Sequence, residues 1–152
     1  MPDLEHFGAD ALRHTVIAFR NTMRSHAEGI NRLNVYPVPD GDTGTNMART
    51  LDAVVAELED ADAALEPTCE AISHGSLMGA RGNSGVILSQ ILRGLSGTLR
   101  TTGAAGASKV AEALKAASDA AYESVLKPIE VTILTVIRET ADAAQRAASD
   151  WA

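Results

Sequence analysis

The chain has a single cysteine, Cys69, in 152 residues, which excludes an internal disulfide and a cysteine-built zinc site. Aromatic residues make up only 3% of it. A β-sandwich draws on aromatic and β-branched residues, so this Ala- and Leu-rich composition predicts an all-α fold. No apolar run approaches the roughly 18 residues of a membrane span, and the opening Met-Pro-Asp-Leu-Glu lacks the basic and apolar regions of a secretion signal. The cytoplasm is therefore the expected compartment. Positive charge is also short: 13 Lys and Arg face 20 Asp and Glu, for a formal charge of −7. That field disfavours nucleic acid and anionic lipid, and a phosphate ligand would need local help from a metal ion or from helix termini.

What remains is helical periodicity. Leu12, Val16, Phe19 and Met23 form one stripe, and Met47, Leu51, Val54 and Leu58 form a second, opened by Thr43 and Thr45. A third helix is expected from Pro67 to about Leu77, before the glycines at 79, 82 and 85. The fourth carries Val86, Leu88, Ile91, Leu92 and Leu95, with Asn83 or Ser84 as its cap. A Gly- and Thr-rich connection is expected over 96–107. Val110, Leu114, Ala117 and Ala121 then make a fifth stripe capped by Ser108, and Pro128 opens a sixth through Ile129, Ile133, Val136 and Thr140. The length suits one domain over 1–152.

Two segments interrupt these stripes with chemistry. Between Gly29 and Thr45 the pattern lapses for longer than an ordinary connection. This segment ends in Asp40-Gly41-Asp42-Thr43-Gly44-Thr45-Asn46. Two carboxylates flanking a glycine can converge on a hard cation, with Asn34 able to add a neutral oxygen. Magnesium takes one or two carboxylates together with substrate phosphates, so a sparse acidic loop fits nucleotide-bridged Mg²⁺ better than a calcium cage. The alternative is a turn and helix cap without a ligand. The second segment, Gly79-Ala80-Arg81-Gly82-Asn83-Ser84-Gly85, is also glycine-rich and leads into a helix, where amides can approach phosphate oxygens. It is not a Walker A loop, which ends in Gly-Lys-Ser/Thr after a strand. On its own it reads first as a tight interhelical turn. His6, His14 and His26 read as solvated and His74 as packed; Met23, Met47 and Met78 read as core filler.

The runs Asn-Val-Tyr-Pro-Val-Pro-Asp-Gly-Asp-Thr-Gly-Thr-Asn-Met at 34–47 and Gly-Ala-Arg-Gly-Asn-Ser-Gly-Val-Ile-Leu-Ser-Gln at 79–90 resemble the N-terminal kinase domain of bacterial fatty acid kinases, within the dihydroxyacetone kinase L-subunit-like family. Lys127-Pro128-Ile129-Glu130 with Thr132-Ile133-Leu134-Thr135 extend the likeness. The resemblance implies an antiparallel helical bundle or barrel that holds ATP and two Mg²⁺ ions at one end. It also implies Asp40, Asp42 and Asn34 as metal ligands, and Thr43, Thr45 and Asn46 on the phosphates. Gly82, Asn83 and Ser84 would cradle them, Arg81 would stabilise γ-phosphate charge, and Thr132 and Ile133 would lie beside adenine.

The implied reaction moves the γ-phosphoryl group to a fatty acid carboxylate presented by a separate fatty-acid-binding carrier protein. Three departures qualify the likeness. Thr43 stands where the sugar-kinase branch commonly has His, Val131 stands where glycine is expected, and the last helices of the family domain are missing. The third departure predicts exposed faces on the first and sixth helices and hence a possible homodimer. A dihydroxyacetone kinase nucleotide subunit and a non-catalytic Mg-nucleotide-binding regulatory module are the alternatives.

Overall fold

A computed structural model describes residues 5–34, 41–101, 105–128 and 132–150. The described chain is built from six helices: α1 (Ala9–Leu33), α2 (Thr43–Asp60), α3 (Leu65–Gly79), α4 (Gly82–Leu99), α5 (Ala107–Glu123) and α6 (Ile133–Asp150). Each helix packs chiefly on the next, α2 also lies against α4, and α1 touches α3. The side chains fix the directions. Gly44 abuts Ala27 while Arg13 reaches Leu58 at the other end of α2. Gly75 lies beside Glu57 and Gly79 beside Ala53, and Arg100 pairs with Glu66 and Glu70. Successive helices therefore run antiparallel. Up-and-down order gathers the α1–α2, α3–α4 and α5–α6 connections at one end, together with the N-termini of α2, α4 and α6.

The stripes read from sequence become the core. Leu12, Val16, Met23, Met47, Leu51, Val54, Leu58, Ile72, Leu88 and Leu92 share one buried cluster. Ile91, Ala117, Ala121, Leu134 and Ile137 form a second between α4, α5 and α6. Ile133 packs against both clusters. Close approach is bought with small residues: a Cβ on Gly94 would lie 2.7 Å from the Ala116 carbonyl oxygen, so α4 and α5 meet almost backbone to backbone.

At the end away from the three connections, Phe7 and Ala105 exchange backbone hydrogen bonds of 2.6 and 3.0 Å, joining the approach to α1 to the start of α5. There Arg13 also donates to the carbonyls of Leu58 (2.7 Å), Ala61 (3.1 Å) and Asp62 (2.6 Å) and to Thr68 Oγ1 (3.1 Å). The carbonyls that end α2 thus receive a cation, although Glu59 and Asp60 make that terminus electrostatically unfavourable.

Several boundaries differ from the periodicity. Helix α1 continues through Gly29 to Leu33, because Gly29 has open space around it and an isolated glycine weakens a helix without ending it. Helix α4 continues past Ser96, which is buried, to Leu99. Asn83 and Ser84 lie inside α4, whose cap position is Arg81. Gly106, not Ser108, precedes α5. Helix α6 starts at Ile133, so Pro128 stays in the connection; Ile129 and Val131 lie outside the described residues. Val86 and Met78 are exposed, not core.

Candidate functional site

Helix α2 begins where the α1–α2 connection returns, and the last turn of α1 receives it. Asn34 Oδ1 accepts the N–H groups of Asp42 (3.1 Å) and Thr43 (3.2 Å). One turn earlier, Asn31 Oδ1 accepts the Thr45 N–H (3.1 Å) while its Nδ2 donates to Thr45 Oγ1 (2.8 Å). Asn31 in the last turn of α1 and Asn34 at its C-terminal cap thus satisfy three of the donors that a helix start leaves open, a capping duty taken over by the preceding helix and its end. Gly44, between these contacts, has no room for a side chain against Ala27. Gly41 has φ +67°, a left-handed turn that glycine adopts without strain.

This arrangement changes what the first motif offers. With the amides of Asp42, Thr43 and Thr45 engaged, the anion-binding capacity expected of the α2 N-terminus is largely filled by Asn31 and Asn34. What remains is side-chain chemistry: the exposed Asp42 carboxylate, the Thr43 hydroxyl and the Asn46 carboxamide. Asn34 would reach a cation only by giving up its two amide contacts. Asp40 lies outside the described residues. Among the described residues no group of three or more His, Cys, Asp and Glu could hold a metal.

The second motif meets the first directly. Gly82 has φ +65°, and a Cβ there would lie 2.4 Å from Asn46 Nδ2, so the α3–α4 turn rests on the first turn of α2. Thr50, a turn further along α2, ties the two segments. Its hydroxyl donates to the Asn46 carbonyl (2.8 Å) and accepts the Arg81 N–H (3.2 Å). Gly85 is the residue facing it, where a Cβ would lie 2.5 Å from Thr50 Oγ1. In contrast to α2, the amides of Gly82, Asn83 and Ser84 make no hydrogen bond among the described residues. Their donors and the positive end of the α4 dipole stay available to an anion. Arg81 is exposed beside them.

Thr132 and Ile133 reach the same end on α6. Thr132 Oγ1 accepts the Leu134 N–H (3.2 Å) and so caps α6; Ile133 is half-buried between the two apolar clusters. Helix α6 packs chiefly on α5, so this pair is not drawn into the Asn46–Gly82 junction as the other site residues are. Neither Asn31 nor Thr50 stood out from sequence. The spacing of Asn31 and Asn34, one helical turn at the end of α1, is the signal that could have found the first. Thr50 had none beyond its place within a helical stripe.

Charge is distributed unequally along the bundle. Glu57, Glu59, Asp60, Asp62, Glu66 and Glu70 gather at the opposite end, where the hydrogen bond that Arg100 donates to Glu66, helped by the charges of Glu66 and Glu70, raises the Arg100 pKa above its ordinary value. Arg32, Arg81 and Lys127 belong to the site end. All the exposed large hydrophobics among the described residues do too: Leu33, Leu77, Met78, Val86, Leu126 and Val136. A groove of about 860 Å³ runs instead over α3 and is lined by residues such as Cys69, His74 and Arg100. Polar groups of its lining pair with each other, His74 with Glu57 and Arg100 with Glu66 and Glu70. No described helix is long and apolar enough to cross a membrane.

The sequence pattern of the DAK2 domain matches residues 37–152. A Staphylococcus saprophyticus protein described as uncharacterized is 48% identical over 139 residues, covering 89% of this chain and 25% of its own length. Protein YloV of Bacillus subtilis is 46% identical over 127 residues, 83% of this chain and 23% of its own. An uncharacterized Staphylococcus aureus protein is 41% identical over 136 residues, 89% of this chain and 25% of its own. The chain spans about a quarter of the length of these relatives.

Proposed function

The chain belongs to the DAK2 domain family of dihydroxyacetone kinase L-subunit-like nucleotide-binding modules, and on that premise we propose that it binds ATP with Mg²⁺ at the Asn46–Gly82 junction and serves a fatty acid kinase. The γ-phosphoryl group passes to a fatty acid carboxylate held by a separate carrier protein. The observation that carries this reading is the seating of Gly82 on Asn46, which makes one site of two segments far apart in sequence.

In this reading Asp42 and Asp40 would hold Mg²⁺, which would supply charge neutralisation for the phosphates. Asn31 and Asn34 keep the Asp42–Thr45 backbone in place, so Thr45 buttresses the site while Thr43 and Asn46 face the nucleotide. The open amides of Gly82, Asn83 and Ser84 receive phosphate oxygens, Arg81 lies beside the γ-phosphate, and Thr132 and Ile133 border the adenine. A fatty acid carboxylate has a pKa near that of other carboxylic acids, about 4–5, and is already ionised at neutral pH. Its oxygen attacks the γ-phosphorus, the bond to the ADP oxygen breaks, and an acyl phosphate forms with no proton to remove. Positioning and charge stabilisation then suffice, as is general for phosphoryl transfer. The apolar residues exposed around this end support an acceptor that arrives on another protein.

The test is calorimetric titration of ATP with and without Mg²⁺, repeated with Asp42→Asn. Magnesium-dependent binding weakened at least about tenfold in the variant, roughly 1.4 kcal/mol, is the expected result. Unchanged binding in Asp42→Asn would remove this carboxylate from the site.

A further inference from the structure

Thr50 lies wholly inside the bundle, 0% exposed, yet its hydroxyl is spent on the geometry of the candidate site. A threonine hydroxyl has one proton and two lone pairs. Here the proton goes to the Asn46 carbonyl at 2.8 Å and a lone pair takes the Arg81 N–H at 3.2 Å. Arg81 occupies the cap position of α4, so its backbone orientation sets that of the three open amides that follow. Asn46 is the residue on which Gly82 rests. One oxygen atom therefore links the carbonyl of a site residue on α2 to the amide that begins the α4 cradle. Gly85 leaves the room this requires.

We propose that Thr50 is the positioning residue of the nucleotide site, holding the Arg81–Ser84 amides in register with Asp42 and Asn46 without itself touching ligand. The proposal rests on the reading of those two segments as a nucleotide site, and part of its test does not.

A second threonine supplies the control. Thr68 is also 0% exposed; it donates to its own helix, at the Ala64 carbonyl (2.8 Å), and accepts from Arg13 Nε (3.1 Å). Its chemistry matches that of Thr50 at the opposite end of the bundle. Thr50→Val and Thr68→Val each keep the shape of the side chain and delete the hydroxyl, and Thr50→Ser restores it.

Two measurements on the whole chain decide the matter. The first is amide hydrogen exchange without ligand: Thr50→Val should lose protection at Arg81 and shift the resonances of Gly82, Asn83 and Ser84, while Thr68→Val leaves all four unchanged. The second is calorimetry with ATP and Mg²⁺: affinity should fall at least about tenfold in Thr50→Val, stay near wild type in Thr68→Val, and recover in Thr50→Ser. Unchanged exchange at Arg81–Ser84 in Thr50→Val overturns the positioning role, as does equal weakening of nucleotide binding by both valine variants. If the wild-type chain binds no ATP, the nucleotide reading fails; the exchange experiment still decides whether Thr50 sets the cradle.

Discussion

Gly29 and Gly44 both sit inside helices, and alanine at either removes the same kind of backbone freedom, yet the two substitutions should move stability in opposite directions. At Gly29 nothing lies within 4 Å of the added Cβ, so the expected gain is the ordinary helical preference for alanine, roughly 0.5–1 kcal/mol. At Gly44 the Cβ would fall 2.2 Å from the Ala27 carbonyl oxygen, 2.7 Å from its Cα and 2.8 Å from its carbonyl carbon. These are backbone atoms and cannot turn aside as a side chain would. Relief requires α1 and α2 to separate by about 1 Å, an overpacking that costs roughly 1–3 kcal/mol. The separation also stretches both hydrogen bonds between Asn31 and Thr45, each worth about 1 kcal/mol. Set against the propensity gain, Gly44→Ala should lose about 2 kcal/mol. At about 2–4 °C per kcal/mol for a chain of this size, calorimetric melting should show a Tm about 4–8 °C lower for Gly44→Ala and about 1–4 °C higher for Gly29→Ala. Two shifts of the same sign would refute the close contact of α1 and α2 on which the geometry of the first motif depends.

Other perturbations follow from contacts at the opposite end. Arg13→Met keeps the aliphatic stem but strips three carbonyls and the Thr68 hydroxyl of a charged donor; it should cost roughly 2–4 kcal/mol and lower the urea midpoint by about 1 M or more. A midpoint within about 0.2 M of wild type would show that water replaces the guanidinium freely. Burial pushes the Cys69 thiol up from 9.0 to about 11, so at pH 8 Ellman's reagent should label native protein only as fast as the chain opens. Immediate labelling would contradict its 1% exposure. The same group makes stability fall with rising pH. The unfolded thiol loses its proton near 9 while the native one retains it to about 11, so Cys69's contribution is complete below 9 and lost between these values. Urea melts at pH 8 and pH 10 of wild type and Cys69→Ser should differ accordingly, the wild type losing more.

Most of the helical content was legible because apolar stripes at helical spacing have little choice but to turn inward: Leu12, Val16, Leu51, Val54, Leu58 and Leu88 are all buried as their periodicity implies. Ends were less legible. A glycine such as Gly29 or Gly97 is a stop signal only where no better alternative exists, and here the neighbouring turns carry the helix through. Caps misled for a related reason: Asn83, Ser84 and Ser108 are good capping residues that the chain places one or two positions inside the helix, leaving Arg81 and Gly106 at the boundary. Met78 and Val86 read as core from their spacing, but they flank the site end, where no described helix covers them. The two motifs could be found in the sequence, whereas their contact could not. Asn46 meets Gly82, and Thr50 meets Arg81, only after α2, α3 and α4 have stacked, and no local pattern encodes a pairing between residues so distant along the chain. Asn31 belongs to the same class, for its partners lie on the following helix.

The pairing of Phe7 with Ala105 has a meaning in time as well as in space. Nearly every other association in the bundle joins consecutive helices, and such neighbours can find one another quickly as soon as each hairpin forms. Residues 7 and 105 close a loop that contains four whole helices, and the entropy of that closure is best met once those helices have already stacked. The clasp should therefore form last and open first, releasing the start of α1 while the site end stays assembled. A chain organised this way would show its earliest loss of amide protection at Ala105, far from the two motifs, and would tolerate that fraying without losing the geometry between α2 and α4.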